Sequence, residues 1–318
     1  RANNELQNFV SKYSDTVFDN DKEMEIPFLS NFMTPIFELA LNTVIDQSVP
    51  VDVRISVHSL VSAYIQMLLR ENINPPPEKL TYDVLQSTVQ LTIVACQESR
   101  EYDSYNFAED LLSKIVKAVG VLKFFTETIQ QLTASENICD LQVALLLIKT
   151  SISCMSIEMA KSYLDLTLQI GDCDDELLVL ACCSTISEFI SNMNECIIFV
   201  FDPLSKFLVK YAMLPEAMQN LCQSIKAIRQ PPEYFKELIE VLITNLPKVS
   251  LIVAIEILYC VKSCFSNFDI ISPFDSTFDC TSIAEILISA VNINEQYKTV
   301  VLGCFGNMVT SAPELIRD

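Results

Sequence analysis

The spacing of apolar residues limits the fold of this chain more than any other feature. From Val53 the apolar positions run Val53, Val57, Leu60, Tyr64 and Met67, in steps of four, three, four and three. That spacing keeps one stripe of an α-helix apolar. The stripe recurs at Phe28, Phe32, Ile36, Leu39 and Val44, and again at Leu178, Cys182, Ile186, Phe189 and Met193. Sustained period-two alternation, the mark of a half-buried strand, is nearly absent. Only 4 glycines stand among 318 residues. Barrels, propellers and dinucleotide-binding sheets need many positive-φ turns and would be starved of them. The fold class expected is all-α.

Breakers divide the helices into pairs. Asp46 to Pro50 separates a helix at 27–46 from one at 51–72, and Pro75-Pro76-Pro77 forces an extended linker, since each proline disfavours helix in the residue before it. The remaining pairs fall at 78–98 and 104–119, 120–133 and 137–154, 157–170 and 174–193, 195–212 and 215–229, 232–246 and 249–267, and 276–292 and 295–311. A further helix, 3–18, precedes them, and 268–281 reads as an insertion between repeats. The second helices begin near 51, 104, 137, 174, 215, 249 and 295. Most of these steps are about 33–46 residues, the period of two-helix repeats.

A hairpin of two amphipathic helices cannot bury both faces alone, and stacking hairpin on hairpin supplies the missing partner. The segment ValAlaLeuLeuLeuIle at 143–148 is apolar nearly all round, as a helix sandwiched between neighbours should be. A single compact core stops growing near roughly 250–300 residues, so the length also suits an elongated array or two domains. The expectation is an α-solenoid of about seven antiparallel hairpins, one HEAT-like domain over 1–318 and a segment of a longer protein.

The formal charge is −20, from 41 acidic and 21 basic side chains. A field of that sign repels nucleic acid and anionic membrane. It either attracts basic partners or simply keeps the chain soluble. The 12 cysteines show no framework spacing and lie mostly in apolar helical stretches such as Cys182-Cys183. They read as small buried hydrophobes in a reducing compartment, cytoplasm or nucleus, without disulfides. The longest apolar run, Leu251 to Val261, carries Glu256 and is shorter than the roughly 18–20 residues a spanning helix needs. No signal peptide and no membrane insertion are expected, and Arg1 leads to the expectation that the natural start lies elsewhere.

One motif is more specific. ProValAspValArgIleSerValHisSerLeuValSerAlaTyr at 50–64 resembles the second helix of a HEAT repeat, with a turn, an acid, Val-Arg, then apolar residues at helical spacing. Asp52 belongs at the helix start, where a carboxylate caps free N–H groups, and Arg54 is expected to reach a neighbouring repeat. Weaker echoes stand at 172–189 and 294–308. The tetratricopeptide pattern fails, since the chain has no tryptophan. Across most of its length the chain resembles a karyopherin-β, the importin and exportin family of nuclear transport receptors. The stretch 29–41, LeuSerAsnPheMetThrProIlePheGluLeuAlaLeu, is similar to the central repeats of importins that carry ribosomal proteins and histones. Condensin and cohesin subunits, phosphatase scaffolds and adaptins use the same repeat, so a static scaffold subunit is the alternative.

The resemblance implies that the second helices line a concave face and bind basic cargo segments or the GTPase Ran. Asp52, Glu136, Asp140, Asp174, Asp175, Glu176, Glu216 and Glu295 stand where those helices begin. Ordinary capping also puts acids there. The run AspCysAspAspGlu at 172–176 exceeds what one cap requires, because Asp172, Asp174, Asp175 and Glu176 repel one another and call for a cation or a partner. It lacks the glycine and the terminal glutamate of a calcium loop. No catalytic constellation is visible. His58 is the only histidine and reads as a helix-surface or packing residue. Cys260 and Cys264 lack the further ligands of a zinc site, and there is no phosphate loop or nucleophile elbow. The reading is a protein-binding chain that is not an enzyme and needs no cofactor.

Overall fold

The structure is a computed structural model and describes residues 26–70, 78–99, 106–119, 122–135, 137–228, 235–267, 284–285, 287–289, 291 and 295–311. Among these residues every regular element is helical, as the apolar spacing requires. In chain order they are α1 (Ile26–Ile45), α2 (Val51–Arg70), α3 (Glu78–Ser99), α4 (Asn106–Val119), α5 (Leu122–Thr133), α6 (Ile138–Ser151), α7 (Ile157–Gly171), α8 (Glu176–Asn192), α9 (Asn194–Lys210), α10 (Pro215–Ala227), α11 (Phe235–Asn245), α12 (Leu251–Asn267) and α13 (Lys298–Ser311). Single 3₁₀ turns stand at Ile152–Cys154, Leu246–Lys248 and Glu295–Tyr297. The expected helix at 3–18, the triple proline and the insertion at 268–281 lie outside the described residues. So does most of the helix expected at 276–292, on which the count of seven hairpins depends.

The starts of these helices follow from their sequence. Asn137 accepts a hydrogen bond from the Cys139 N–H at 2.9 Å, Ser156 from the Met159 N–H at 3.3 Å, and Asp175 from the Leu178 N–H at 2.9 Å. Each satisfies an N–H that the helix cannot use, typically worth about 1 kcal/mol. Pro215 opens α10, where its missing N–H costs nothing. Between α1 and α2, the Asp46 carboxylate accepts from both the backbone N–H and the hydroxyl of Ser48, at 2.9 and 2.7 Å. Those bonds hold the Asp46 carboxyl below its ordinary pKa.

The chain divides into two compact units, Arg1–Cys154 and Met155–Asp318. In the first unit α1 pairs with α2, α3 with α4, and α5 with α6; α2 packs on α4 and α4 on α6, while α1 packs on α3. Helix α6 is the most enclosed, with every residue from Gln142 to Ile148 buried. The all-round apolar pattern at 143–148 thus corresponds to a helix with neighbours on several sides.

In the second unit α7 pairs with α8, α9 with α10, and α11 with α12. The second helices form one layer in the order α8, α10, α12, α13, and the first helices another in the order α7, α9, α11. Side chains tie each helix to its counterpart one repeat earlier. Asn220 donates to the Cys183 carbonyl at 2.7 Å, 37 residues back. Asn307 donates to the Lys262 carbonyl at 3.2 Å, 45 residues back. The thiols of Cys196, Cys260 and Cys304 reach carbonyls 39, 42 and 46 residues back. These separations carry the repeat length into the packing. Gly171, at the end of α7, is needed for closeness: a Cβ there would stand 2.7 Å from the Phe207 ring and 2.8 Å from Cys182 Sγ. Eleven cysteines are described, all as free thiols, and eight of them are buried.

Candidate protein-binding surface

The acidic residues expected at second-helix starts can now be placed. In the first unit Asp52 lies exposed in the first turn of α2. Asp140 lies in the first turn of α6 and accepts from the Ser135 hydroxyl at 2.5 Å. Glu136 is outside the described residues. In the second unit Glu216 is exposed in the first turn of α10, directly after Pro215, and Glu295 is exposed at the 3₁₀ turn before α13.

The run at 172–176 is not four equivalent carboxylates. Asp172 belongs to the end of α7, where its N–H bonds back to the Gln169 carbonyl. Its carboxylate is paired with the ammonium of Lys210, in the last turn of α9, and that pairing raises the Lys210 pKa well above its usual range. Asp172 thus ends the first helix of the hairpin, while the rest of the run precedes and opens the second. A cation of the chain itself already supplies part of the compensation that the run requires. Asp175 is the N-cap of α8. Asp174 and Glu176 are exposed and have no ion-pair or hydrogen-bond partner among the described residues. Two of the four acids are thus used by the fold, Asp172 in a solvent-exposed pair, and Asp174 and Glu176 face solvent without a partner among the described residues.

Tyr211 holds this loop in place. Its hydroxyl lies 2.7 Å from the Gly171 carbonyl and 2.7 Å from the Cys173 carbonyl, one on each side of Asp172. Sequence reasoning missed both Tyr211 and Lys210. The available signal was their distance from Asp172, 38 residues for Lys210 and about one repeat for Tyr211.

Arg54 also differs from expectation. It is buried, and its Nε donates to the Val44 carbonyl at 2.8 Å. The bond satisfies a carbonyl in the last turn of α1, so this nitrogen of Arg54 closes its own hairpin, while the side chain lines a cavity shared with Asp83, Gln86 and Ser87 of α3. His58 packs and does not sit on the helix surface. Its Nε2 is 2.9 Å from the Thr88 hydroxyl of α3, its ring meets Phe107 of α4 edge-on at 5.0 Å, and burial holds its pKa down to about 4. At neutral pH the ring is uncharged and lies between three helices.

A second feature was not legible in the sequence. Between α10 and α12 a groove of about 510 Å³ is lined by Gln219, Gln223, Lys226, Glu256, Tyr259 and Lys262, among others. The solvent face of α10 runs from Glu216 at its start through Gln219 and Gln223 to Lys226 near its end, at helical spacing. Carboxylate and ammonium therefore stand at opposite ends of the same exposed stripe, as the helix dipole favours. Among the described residues no group of three or more His, Cys, Asp or Glu side chains is placed to hold a metal ion. None of the described helices is long and apolar enough to cross a membrane.

No protein-family model matches the sequence, and no curated protein matches it. Solved structures do match the fold. The karyopherin Kap121p bound to the SUMO protease Ulp1p superposes with a TM-score of 0.63 at 12% identity, over 98% of this chain and 35% of that one. Kap121p bound to the extreme C-terminus of the protein phosphatase Cdc14p gives 0.65 at 13% identity, over 99% and 34%. Kap95p, in a structure with RanGDP, gives 0.64 at 9% identity, over 96% and 40%. The chain has a karyopherin-like HEAT-repeat fold. Identities this low speak to the fold alone. The chain spans about a third of the length of the Kap121p chains it matches.

Proposed function

We propose that this chain is a helical-repeat receptor of the nuclear-transport type, acting by binding and not by catalysis. Its partner is a basic segment of a cargo protein, which meets the acidic second-helix starts, chiefly 172–176. The observation that carries the reading is the pair of exposed carboxylates at Asp174 and Glu176, left over after Asp175 caps α8 and Asp172 pairs with Lys210. The −20 charge of the chain adds long-range attraction for a basic partner and repulsion for nucleic acid. Glu216 and Glu295 extend the acidic edge in the same unit, and Asp52 and Asp140 give the first unit a similar edge. The fold neighbours support a protein partner: Kap121p is seen with Ulp1p and Cdc14p, and Kap95p with RanGDP. Ran binding, residence in cytoplasm and nucleus, and the reading of 1–318 as a single HEAT-like domain within a longer protein belong to the same proposal.

The test is association kinetics with a lysine- and arginine-rich peptide. Replacing Asp172, Asp174, Asp175 and Glu176 with Asn or Gln should slow association at low salt. The difference should shrink as the Debye length falls from about 10 Å at 0.1 M to about 3 Å at 1 M. Loss of the Asp175 cap is expected to cost about 0.5–2 kcal/mol, so a melting curve accompanies each binding curve. A quadruple variant that binds as fast as the parent would reduce the run to capping and solvation. A pull-down with Ran locked in its GTP form separates receptor from scaffold. A receptor releases its partner under Ran-GTP, whereas a static scaffold subunit keeps it at fixed stoichiometry.

A further inference from the structure

Helix α2 buries a charge that the fold does not neutralise. Arg54 is only 4% exposed, and its Nε donates to the Val44 carbonyl at 2.8 Å. The two terminal nitrogens of the guanidinium carry four further N–H groups. Among the described residues no carboxylate lies within ion-pair reach of them. Asp46 feels the Arg54 charge, but its carboxylate bonds Ser48 instead. A buried cation is costly unless an anion and hydrogen bonds compensate it. No fully buried side-chain nitrogen or oxygen among the described residues lacks a partner, so the terminal nitrogens open onto the cavity that Arg54 lines between α1 and α3.

That cavity has a volume of about 420 Å³, within the range of ligand pockets, about 300–1,000 Å³. Four primary amides line it, Asn42, Gln47, Gln86 and Gln90, and all four residues are exposed. They therefore form a rim around a buried cation. Each amide offers a donor and an acceptor, the pair that a peptide group needs. Leu41, Ile45 and Val94 supply apolar wall between them. Among the described residues only Arg54 and Asp83 bring charge to the lining. One cation facing one acid suits a carboxylate, with its single negative charge, and opposes a phosphate dianion. The guanidinium edge also takes the two oxygens of a carboxylate side by side.

We propose that this cavity binds an acidic segment of a partner protein. One Asp or Glu side chain of that segment inserts onto the terminal nitrogens of Arg54, and its backbone lies across the exposed amides. The inserted carboxylate supplies the counter-ion that the burial of Arg54 requires. The site belongs to the first unit and takes a ligand of opposite sign to the basic segment proposed for 172–176, so neither reading rests on the other.

The experiment uses the whole 318-residue chain and the fluorescence anisotropy of a short, end-capped peptide that carries a single Glu among Leu and Ser. The Glu peptide should bind at least about tenfold more tightly than its Gln counterpart, as a charge-assisted pair implies. Arg54→Met should abolish that preference. It also removes the bond to Val44, so Gln90→Glu serves as the second variant: Arg54 stays in place and the cavity gains a carboxylate of the chain itself. In Gln90→Glu the affinity for the Glu peptide should fall at least about tenfold, and the melting temperature should rise because Arg54 now has a counter-ion. Far-ultraviolet dichroism establishes that each variant is folded, and Gln90→Glu decides the matter even if Arg54→Met does not fold. Equal binding of the Glu and Gln peptides overturns the proposal, as does a Gln90→Glu variant that binds like the parent. Tighter binding of a phosphoserine peptide, or free glutarate that competes as well as the Glu peptide, overturns the assignment of the ligand to an acidic segment.

Discussion

In the first unit the helices are tied across their faces by nitrogen. Arg54 donates to the Val44 carbonyl, His58 meets the Thr88 hydroxyl, and Lys149 pairs with Glu109 at 2.8 Å. In the second unit, beside the Lys210–Asp172 ion pair, most of the corresponding ties run from sulfur and from neutral amides to backbone carbonyls: Cys196, Asn220, Cys260, Cys304 and Asn307 each reach the helix one repeat earlier. Both units stack hairpins in the same order, so the stacking does not prescribe the chemistry of the cross-ties. The consequence is a difference in response. Of the nitrogen ties only the His58 imidazole takes up a proton in acid, since guanidinium and ammonium groups already carry theirs, and amides stay neutral throughout.

The largest expected effect is that of acid on the first unit. His58 sits at about 4 in the folded chain, against 6.5 for a free histidine. Between those values the unfolded chain takes up a proton that the folded unit refuses. The stabilisation is complete above pH 6.5 and is lost as pH falls toward 4, by about 3 kcal/mol in full. Hydrogen exchange followed along a pH series should show α2 to α4 opening first, while α8 to α12 hold. His58→Gln keeps a hydrogen-bonding group opposite Thr88 but cannot titrate, and should flatten the profile. Equal acid loss in both units would break the comparison.

The next effect compares a charged tie with a neutral one. Arg54→Met should destabilise the first unit by about 1.5–3 kcal/mol, because a charge-assisted bond to the Val44 carbonyl is lost. Denaturant melts of the variant and the parent give the difference directly. Asn220→Ala should cost the second unit less, about 1 kcal/mol, since the Cys183 carbonyl loses an amide donor that carries no charge. If the two substitutions cost the same, the distinction between charged and neutral ties has no energetic weight.

Much of the fold was legible because helices announce themselves locally. A stripe at steps of three and four, and a proline or acid at its edge, need no knowledge of the rest of the chain. Partner choice is not local. Arg54 was expected to reach a neighbouring repeat, but its Nε meets the Val44 carbonyl at the end of its own hairpin. The boundary between α7 and α8 falls inside a run of acids, so the sequence could not separate the pairing of Asp172 with Lys210 from the capping by Asp175. The groove around Cys222 draws on two helices about 40 residues apart, and the Ser263 hydroxyl meets that thiol across the gap at 3.3 Å. Nothing in the sequence around Cys222 distinguishes it from the other cysteines.

The phenol of Tyr211 bears on binding as well as on folding. Its one O–H stands 2.7 Å from both the Gly171 and the Cys173 carbonyl and so restrains the backbone that leads into Asp174. A partner that docks there meets carboxylates already in position, and little conformational entropy is lost from this side of the encounter. Affinity at such a preorganised edge is limited chiefly by the ordering of the incoming segment, so a basic peptide stiffened by cyclisation should gain more than one further acid on the receptor could supply.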